Sequence, residues 1–512
     1  MPDRAAVPHN AFTHREVLRI LSGVLLCMLM ASLDQTVLAT ALPAIAADFN
    51  GVPHLSWVIT AYLLTSTGTT LIFGKLSDFY GRRLLLEISI GVFFVASFAC
   101  ALSQNMGSLI AARALQGIGG GGLYSMAQAA IADVVSPRER GRYQAYITSM
   151  FGTAALAGPL IGGLSVDYLS WRWAFWINLP LGAVAFFLCH CGLARVVVKR
   201  EKRPIDYRGA ALLLPGVTAL MLVAAWGGNE VPWLSWPIFA LVVFGAAFVI
   251  MFARWEGRAP EALLPPRLFA SAVFRVASFL NFLINAVSIG AFLLIPVFLQ
   301  FVIGVSAGVS GAMLVLPLAV QIVSSISTGR RVQRTGRYVP SLRVGFTALV
   351  FGALLFATMK AETPLWLIEL FLTVHAIGIG LCQSPLWVAV QNSAEMRDLG
   401  AVTGSTAFFR ALGGAFGAAI LWSILLTVLD ATVAAAGHAS FSAALRGGRA
   451  ALAALPQAER AILIPALSHG FGVAFLVDAG TAAIALIATH FLKEIPLRTT
   501  TQSAKPQRQG AD

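Results

Sequence analysis

The chain has 512 residues, 58% of them hydrophobic and 12% charged, with a net charge of +13. A soluble protein of this size carries about twice that charged fraction to cover its surface, so a soluble globular fold is excluded. The positive excess does not point to nucleic acid either, because the basic residues gather in short links between apolar runs, as in polytopic membrane proteins.

Apolar runs read at 18–42, 55–73, 85–103, 108–131, 144–166, 173–194, 209–227, 237–253, 276–302, 310–328, 340–359, 365–389, 400–428 and 468–491. Each is near the ~20 residues a helix needs to cross ~30 Å of hydrocarbon, giving about 14 spans. Helices are required because an open backbone in lipid leaves N–H and C=O groups unpaired. The alternation of a membrane β-barrel is absent, so the fold class is all-α. The first run is too long for the apolar part of a signal peptide and stays as a span. With the tail 1–17 inside, one set of links carries Lys75, Arg82 and Arg83, then Arg138, Arg140 and Arg142, then Arg195 to Arg208, and later Arg330 to Arg343. The other set holds few basic residues: Arg172, Lys360, and Arg446, Arg449 and Arg460 in the long link 429–467. This bias keeps one register along the chain and puts both termini, including the tail 492–512, in the cytoplasm.

Two basic turns share one pattern: GKLSDFYGRR from Gly74 to Arg83, and GRRVQRTGRY from Gly329 to Tyr338. Each has two glycines at the same spacing (Gly74 and Gly81; Gly329 and Gly336) with an arginine after the second (Arg82; Arg337). They follow the second and the tenth span, whereas a simple six-helix duplication would set them six spans apart. Two six-helix bundles, 18–194 and 276–491, with a helix pair inserted at 209–253 reconcile the spacing; parallel repeats of this kind are one way transporters are built. A basic linker, 195–208, leads into the pair and a second, 254–275, leads out. The first is expected to be disordered or to lie on the anionic leaflet. The long link 429–467 is expected to be a solvated cap with a surface helix.

Asp34 lies well inside the first span, in LDQTVLATALP. A carboxylate at membrane depth costs about 2.5–3.5 kcal/mol, so it usually faces a wet cavity and marks an ion path. Burial would let it hold and release a proton near neutral pH. The alternative is an Asp bonded to Thr36 or to a neighbouring helix. Asp478 is the second deep acid, and His375 and Gln383 in the twelfth span are candidates for the substrate cavity. Glu87 and Glu369, near span ends, are expected to reach interfacial water. Arg113 and Gln116 sit in RALQGIGGGG, where the arginine needs a partner or water. Gly117, Gly119 and Gly122 match GxGxxG, but a dinucleotide fold needs a preceding strand that an apolar span does not offer. In the fifth span, Gly152 and then Gly158, Pro159, Gly162 and Gly163 allow tight helix crossing and a kink. Asp78 in the first basic turn can accept from backbone N–H groups at a helix start or pair with an arginine, forming a latch. Gln333 holds the matching place in the second turn, so a charged latch is expected in the first half only. The five cysteines (Cys27, Cys100, Cys189, Cys191, Cys382) all fall in apolar runs and are expected to be buried free thiols, with no metal at Cys189–Cys191.

GKLSDFYGRR, RALQGIG and GPLIGG resemble the motifs of the major facilitator superfamily. LDQTVLATALP and WRWAFWINLP, from Trp171 to Pro180, resemble those of its 14-helix drug:proton antiporter branch. The resemblance spans about residues 18 to 491. It implies efflux of lipophilic, often cationic compounds across a bacterial inner membrane, driven by inward proton movement without a cofactor. It assigns the first-helix acid to Asp34, the latch to Gly74, Asp78, Gly81, Arg82 and Arg83, and the fourth-helix arginine motif to Arg113, Gln116 and Gly117. Some relatives work with a periplasmic adaptor protein and an outer-membrane channel. Competing readings are an exporter or importer of one metabolite or siderophore, and a membrane-embedded enzyme or sensor. Against the enzyme, the histidines form no metal-ligand pair at helical spacing; against ATP-driven pumping, no GxxxxGK[ST] loop occurs. A sensor would carry a sizeable soluble domain, and the tails are short.

Overall fold

A computed structural model describes residues 14–49, 55–135, 137–193, 206–227, 231–259, 262–394, 398–435 and 456–497. Its long elements are all helices: α1 (His14–Phe49), α2 (Leu55–Tyr80), α3 (Arg82–Ala101), α4 (Met106–Val134), α5 (Pro137–Tyr168), α6 (Trp173–Trp176), α7 (Asn178–Gly192), α8 (Tyr207–Trp226) and α9 (Trp236–Glu256). They continue as α10 (Pro266–Ala270), α11 (Ala272–Phe298), α12 (Ala307–Ala312), α13 (Val315–Thr335), α14 (Val339–Ala357), α15 (Leu365–Asn392), α16 (Leu399–Ala435) and α17 (Gln457–Ala488). No strand occurs among the described residues.

Among the described residues, thirteen helical stretches are long and apolar enough to cross a membrane. The remaining expected span is α4, whose 29 residues include Arg113, Gln116, Gln128 and a run of four glycines. Those residues lower its apolarity, and nearly every side chain of its second half is buried. The helix survives because α2 and α3, not lipid, surround its polar face. The sixth span is broken into α6 and α7, and the tenth into α12 and α13. Helix occupies both flanks of the long link expected at 429–467, since α16 runs to Ala435 and α17 starts at Gln457. The stretch between them, with Arg446 and Arg449, lies outside the described residues, as do the tails and most of the linker 195–208. All five cysteines are free, but Cys191 is exposed, contrary to expectation, while its neighbour Cys189 packs within 3.5 Å of Cys27.

α1–α7 build one bundle around Val24, Met28, Phe93 and Met126, and α11–α17 build the other around Phe298, Phe346, Leu425 and Phe475. The inserted pair, α8 and α9, is not peripheral. One apolar cluster joins Leu64 and Leu71 of α2, Leu213, Val217 and Met221 of α8, Phe252 of α9 and Phe408 of α16. At the tip of the hairpin, Trp226 packs edge-on against Trp57 of α2 at 5.6 Å, and Trp233 Nε1 donates to Ser423 Oγ of α16. At its base, Asp206 accepts from Gly209 N and Trp255 Nε1, each at 2.8 Å, and Glu256 accepts from the Leu263 and Leu264 amides. Arg267 then pairs with Asp398 beside the start of α16 at 2.7 Å. The hairpin therefore lies over the line where the two bundles meet and is tied to both.

Candidate functional site

Asp34 sits midway along α1, where the carboxylate is 1% exposed. It does not face an open cavity here. Its Oδ2 accepts from Arg113 Nη1 at 2.6 Å, and its Oδ1 accepts from Gln116 Nε2 at 2.9 Å and from Asn178 Nδ2 at 2.8 Å. Arg113 also reaches Gln116 Oε1 at 2.5 Å and donates from Nε to the Val58 carbonyl at 3.1 Å. Gln116 donates to Ser97 Oγ at 2.8 Å. Four helices of one bundle (α1, α3, α4 and α7) thus supply side chains to one network, and α2 supplies a carbonyl. The Arg113 guanidinium carbon lies 4.4 Å from the Tyr62 ring centre, within range of a cation–π contact. Both charges of the Asp34–Arg113 pair are fully enclosed. A pair taken out of water this completely holds only when hydrogen bonds fill the remaining positions, which the two amides provide. Two atoms are left over, Arg113 Nη2 as donor and Asn178 Oδ1 as acceptor, both buried without a partner. Of the alternatives to a wet cavity, the bond to neighbouring helices is therefore the one made, and the bond to Thr36 is not; Thr36 Oγ1 donates to the Ala154 carbonyl of α5 at 3.0 Å.

Sequence reasoning placed Asp34, Arg113 and Gln116 but did not join them. It missed Asn178, which lies inside the quoted WRWAFWINLP and opens α7 after the break. A polar amide in an otherwise apolar span was the signal available.

α5 packs along α1 through GPLIGG. A Cβ at Gly158 would overlap Thr36, and one at Gly162 would overlap Thr40. Gly163 faces open space, so it makes no such approach, and the Pro159 side chain lies outside the described residues. Gly117 of α4 lies against Tyr62 and Thr65 of α2. Gly152 faces the other half: a Cβ there would stand 3.1 Å from Ile322 of α13.

The first basic turn is closed by Gly81, whose φ of 89° is reached cheaply only without a Cβ. Arg82 follows it, buried, and its Nε donates to Asp133 Oδ2 at 2.8 Å near the end of α4. Asp133 was not anticipated. Arg83 pairs with Glu87 at 2.8 Å and lies beside His190, so Glu87 is held by the turn. The Asp78 side chain lies outside the described residues. Gly74 is where α2 meets the second half: a Cβ there would stand 2.7 Å from the Gly400 carbonyl and 3.0 Å from Gly404 Cα of α16.

The second turn repeats the backbone, with Gly336 at φ 70°. It also has a carboxylate, contrary to expectation. Glu494, beyond α17, accepts from the Tyr338 amide at 2.6 Å and from the Val339 amide at 3.3 Å, and lies 3.3 Å from Arg337 Nε. It does at the start of α14 what was expected of an acid inside the turn. Burial pushes the Tyr338 hydroxyl up, so it stays protonated, donating to the Lys493 carbonyl and accepting from the Ile495 amide. Glu494→Ala is expected to cost about 1.5–3 kcal/mol, the range for hydrogen bonds to a charged group. It should free the 492–497 segment to proteolysis without touching the first half; an unchanged cleavage rate would contradict this.

Asp478 and His375 lie in the second half, away from Asp34. The Asp478 Oδ2 and both His375 ring nitrogens are buried without a partner, and the Phe356 ring lies 5.1 Å from the His375 ring. Glu369 Oε2 is likewise buried without a partner, though the residue as a whole is only half-buried. Gln383 is half-buried on α15. At the far end of α1, the Trp171 indole N–H holds the Asp48 carboxyl below the usual carboxylate range, with Arg172 beside it at 3.1 Å.

Comparison with known proteins places this geometry. The sequence profile of the Major Facilitator Superfamily matches residues 24–418. The multidrug transporter protein MdtP of Bacillus subtilis is 34% identical over 442 residues, covering 84% of this chain and 81% of that one. Multidrug resistance protein 3 of the same organism is 30% identical over 498 residues, covering 95% and 97%. An uncharacterized MFS-type transporter of Mycobacterium tuberculosis is 37% identical over 483 residues, covering 93% and 70%. Among solved structures, the human organic anion transporter MFSD10 superposes with a TM-score of 0.65 at 17% identity, covering 92% of this chain and 99% of that one. The proton:xylose symporter XylE does so at 0.63 and 13% identity, covering 94% and 97%. With the two bundles, the paired glycine turns and these matches together, the chain belongs to the major facilitator superfamily of membrane transporters.

Proposed function

We propose that the chain is a proton-coupled multidrug exporter of small lipophilic compounds, cationic ones among them, working by alternating access. The observation that carries the coupling is the enclosed Asp34–Arg113 pair with its two amide donors. Arg113, Gln116 and Asn178 each aim a donor at the Asp34 carboxylate. A proton on Asp34 would remove the charge that holds Arg113 and turn one acceptor into a donor. Proton uptake therefore requires α1, α4 and α7 to shift against one another. Asp478, the second buried carboxylate, is the candidate for a proton step in the other half. The two halves would rock about the α2–α16 and α5–α13 contacts, exposing the centre to each side in turn. Efflux, rather than uptake, accords with the resistance in the name of one Bacillus relative and with a Dothistroma septosporum relative named as an efflux pump, 30% identical over 496 residues. The reading places the protein in a bacterial inner membrane with both termini cytoplasmic, needing no cofactor beyond the proton gradient. A periplasmic adaptor and an outer-membrane channel are its proposed partners.

The test is dye accumulation in everted membrane vesicles with an acidic lumen. Accumulation is expected to collapse on adding an uncoupler and to be absent with Asp34→Asn. Undiminished, uncoupler-sensitive accumulation by that variant would refute the proton role.

A further inference from the structure

We propose that Arg410 and Trp387 form a recognition site for a lipophilic anion, an aromatic carboxylate or sulfonate. Arg410 stands on α16, eleven residues or about 16 Å in from Leu399, within a helix long and apolar enough to cross a membrane. Its guanidinium carbon lies 5.7 Å from the centre of the Trp387 ring on α15. Trp387 is 2% exposed and its indole Nε1 has no acceptor; Arg410 Nη1 is also buried without one. Two donors from adjacent helices, one of them on the ring that the guanidinium covers, are therefore buried with nothing to accept from them, while the rest of the arginine is only half-buried.

The contrast with Arg113 gives this arrangement its meaning. Arg113 meets a carboxylate, an amide oxygen, a main-chain carbonyl and an aromatic face. Arg410 has the aromatic face alone, and among the described residues no carboxylate pairs with it. An arginine at membrane depth needs a partner or water, and buried N–H groups left unmade are costly. The missing acceptor is an oxygen anion. A carboxylate or sulfonate fits the planar guanidinium fork, and an aromatic body would pack on the apolar surroundings. A cation would be repelled here, so this place would not serve the cationic compounds of the transport reading.

The proposal rests on the transport reading for its biological sense, but binding needs no proton gradient, and the two fail separately. The full chain in phosphatidylcholine nanodiscs is dialysed against 2-naphthalenesulfonate and, in parallel, against 2-naphthalenesulfonamide, which has the same body without the charge. Empty nanodiscs are the blank. The wild-type chain is expected to retain the sulfonate at least about tenfold more tightly, a difference of ~1.4 kcal/mol. Arg410→Gln should erase that preference and leave sulfonamide retention unchanged. Arg410→Lys, which keeps the charge and loses the fork, should keep part of it and guards against a folding defect. Trp387→Phe keeps the ring, loses the N–H and should weaken the sulfonate alone. Equal retention of the two probes by the wild-type chain would overturn the proposal, as would loss of both probes together in Arg410→Lys. If sulfonate preference holds while vesicle export fails to depend on protons, only the coupling reading falls.

Discussion

Asp34→Asn is expected to stop export and to destabilise the first bundle by about 3–5 kcal/mol, the cost of leaving one charge of a buried pair uncompensated. Arg113→Gln should cost a similar amount, because the Asp34 carboxylate would then be the stranded charge. The double variant Asp34→Asn with Arg113→Gln removes both charges and should recover most of the loss, since replacing a whole buried pair is often near neutral. A thermal melt of the purified proteins reads the first effect, and vesicle export reads the second. The two roles then separate. If the pair serves only to hold helices together, the double variant exports again. If Asp34 carries the proton, the double variant is stable and stays inactive. A double variant that melts as low as either single one would show that the amides, not the charges, hold the site.

Gly74→Val is expected to act on the balance between conformations rather than on folding. The added atoms meet the Gly400 carbonyl and Gly404 of α16, which belong to the opposite half. Overpacking of this kind costs about 1–3 kcal/mol, and a bias of that size moves a two-state equilibrium by roughly 5- to 150-fold. Leu71, fully buried on α2 with its Cα 3.3 Å from where a Cβ on Gly404 would stand and clustered with Phe408 of α16, reports the opening. In a chain carrying Leu71→Cys and Cys191→Ser, maleimide labelling should rise with Gly74→Val and export should fall. Gly119→Val makes the contrast: its Cβ would stand 2.6 Å from the Phe93 amide, inside one half, so it should lower the melting temperature instead. Labelling unchanged by Gly74→Val would mean that the α2–α16 contact does not open.

Much of this was readable in the sequence. Span lengths, the basic links and the repeated turn depend on local composition, and the helices follow them. The positive-φ glycines, Gly81 and Gly336, were visible as matched punctuation. What was not readable is pairing across distance. Asp34 and Arg113 are 79 residues apart, and Asp34 and Asn178 are 144 apart. No periodicity relates them, because they meet where helices from opposite ends of the bundle cross. Glu494 was missed for the same reason: comparing the two turns position by position looks inside the turn, while the carboxylate arrives from 156 residues further on. The inserted helix pair carries no deep charge to signal a role in the sequence, yet its tryptophans and leucines tie α2 to α16.

The composition of α4 bears on how the chain is assembled. A segment with an arginine, two glutamines and four consecutive glycines gains little from hydrocarbon on its own. It becomes at home in the bilayer only once Tyr62, Thr65 and Phe93 lie against its glycines and Asp34 neutralises its charge. Its insertion is therefore a cooperative act with α1, α2 and α3, and substitutions along its glycine run would be felt first at biogenesis, as chain degraded before it ever carries cargo.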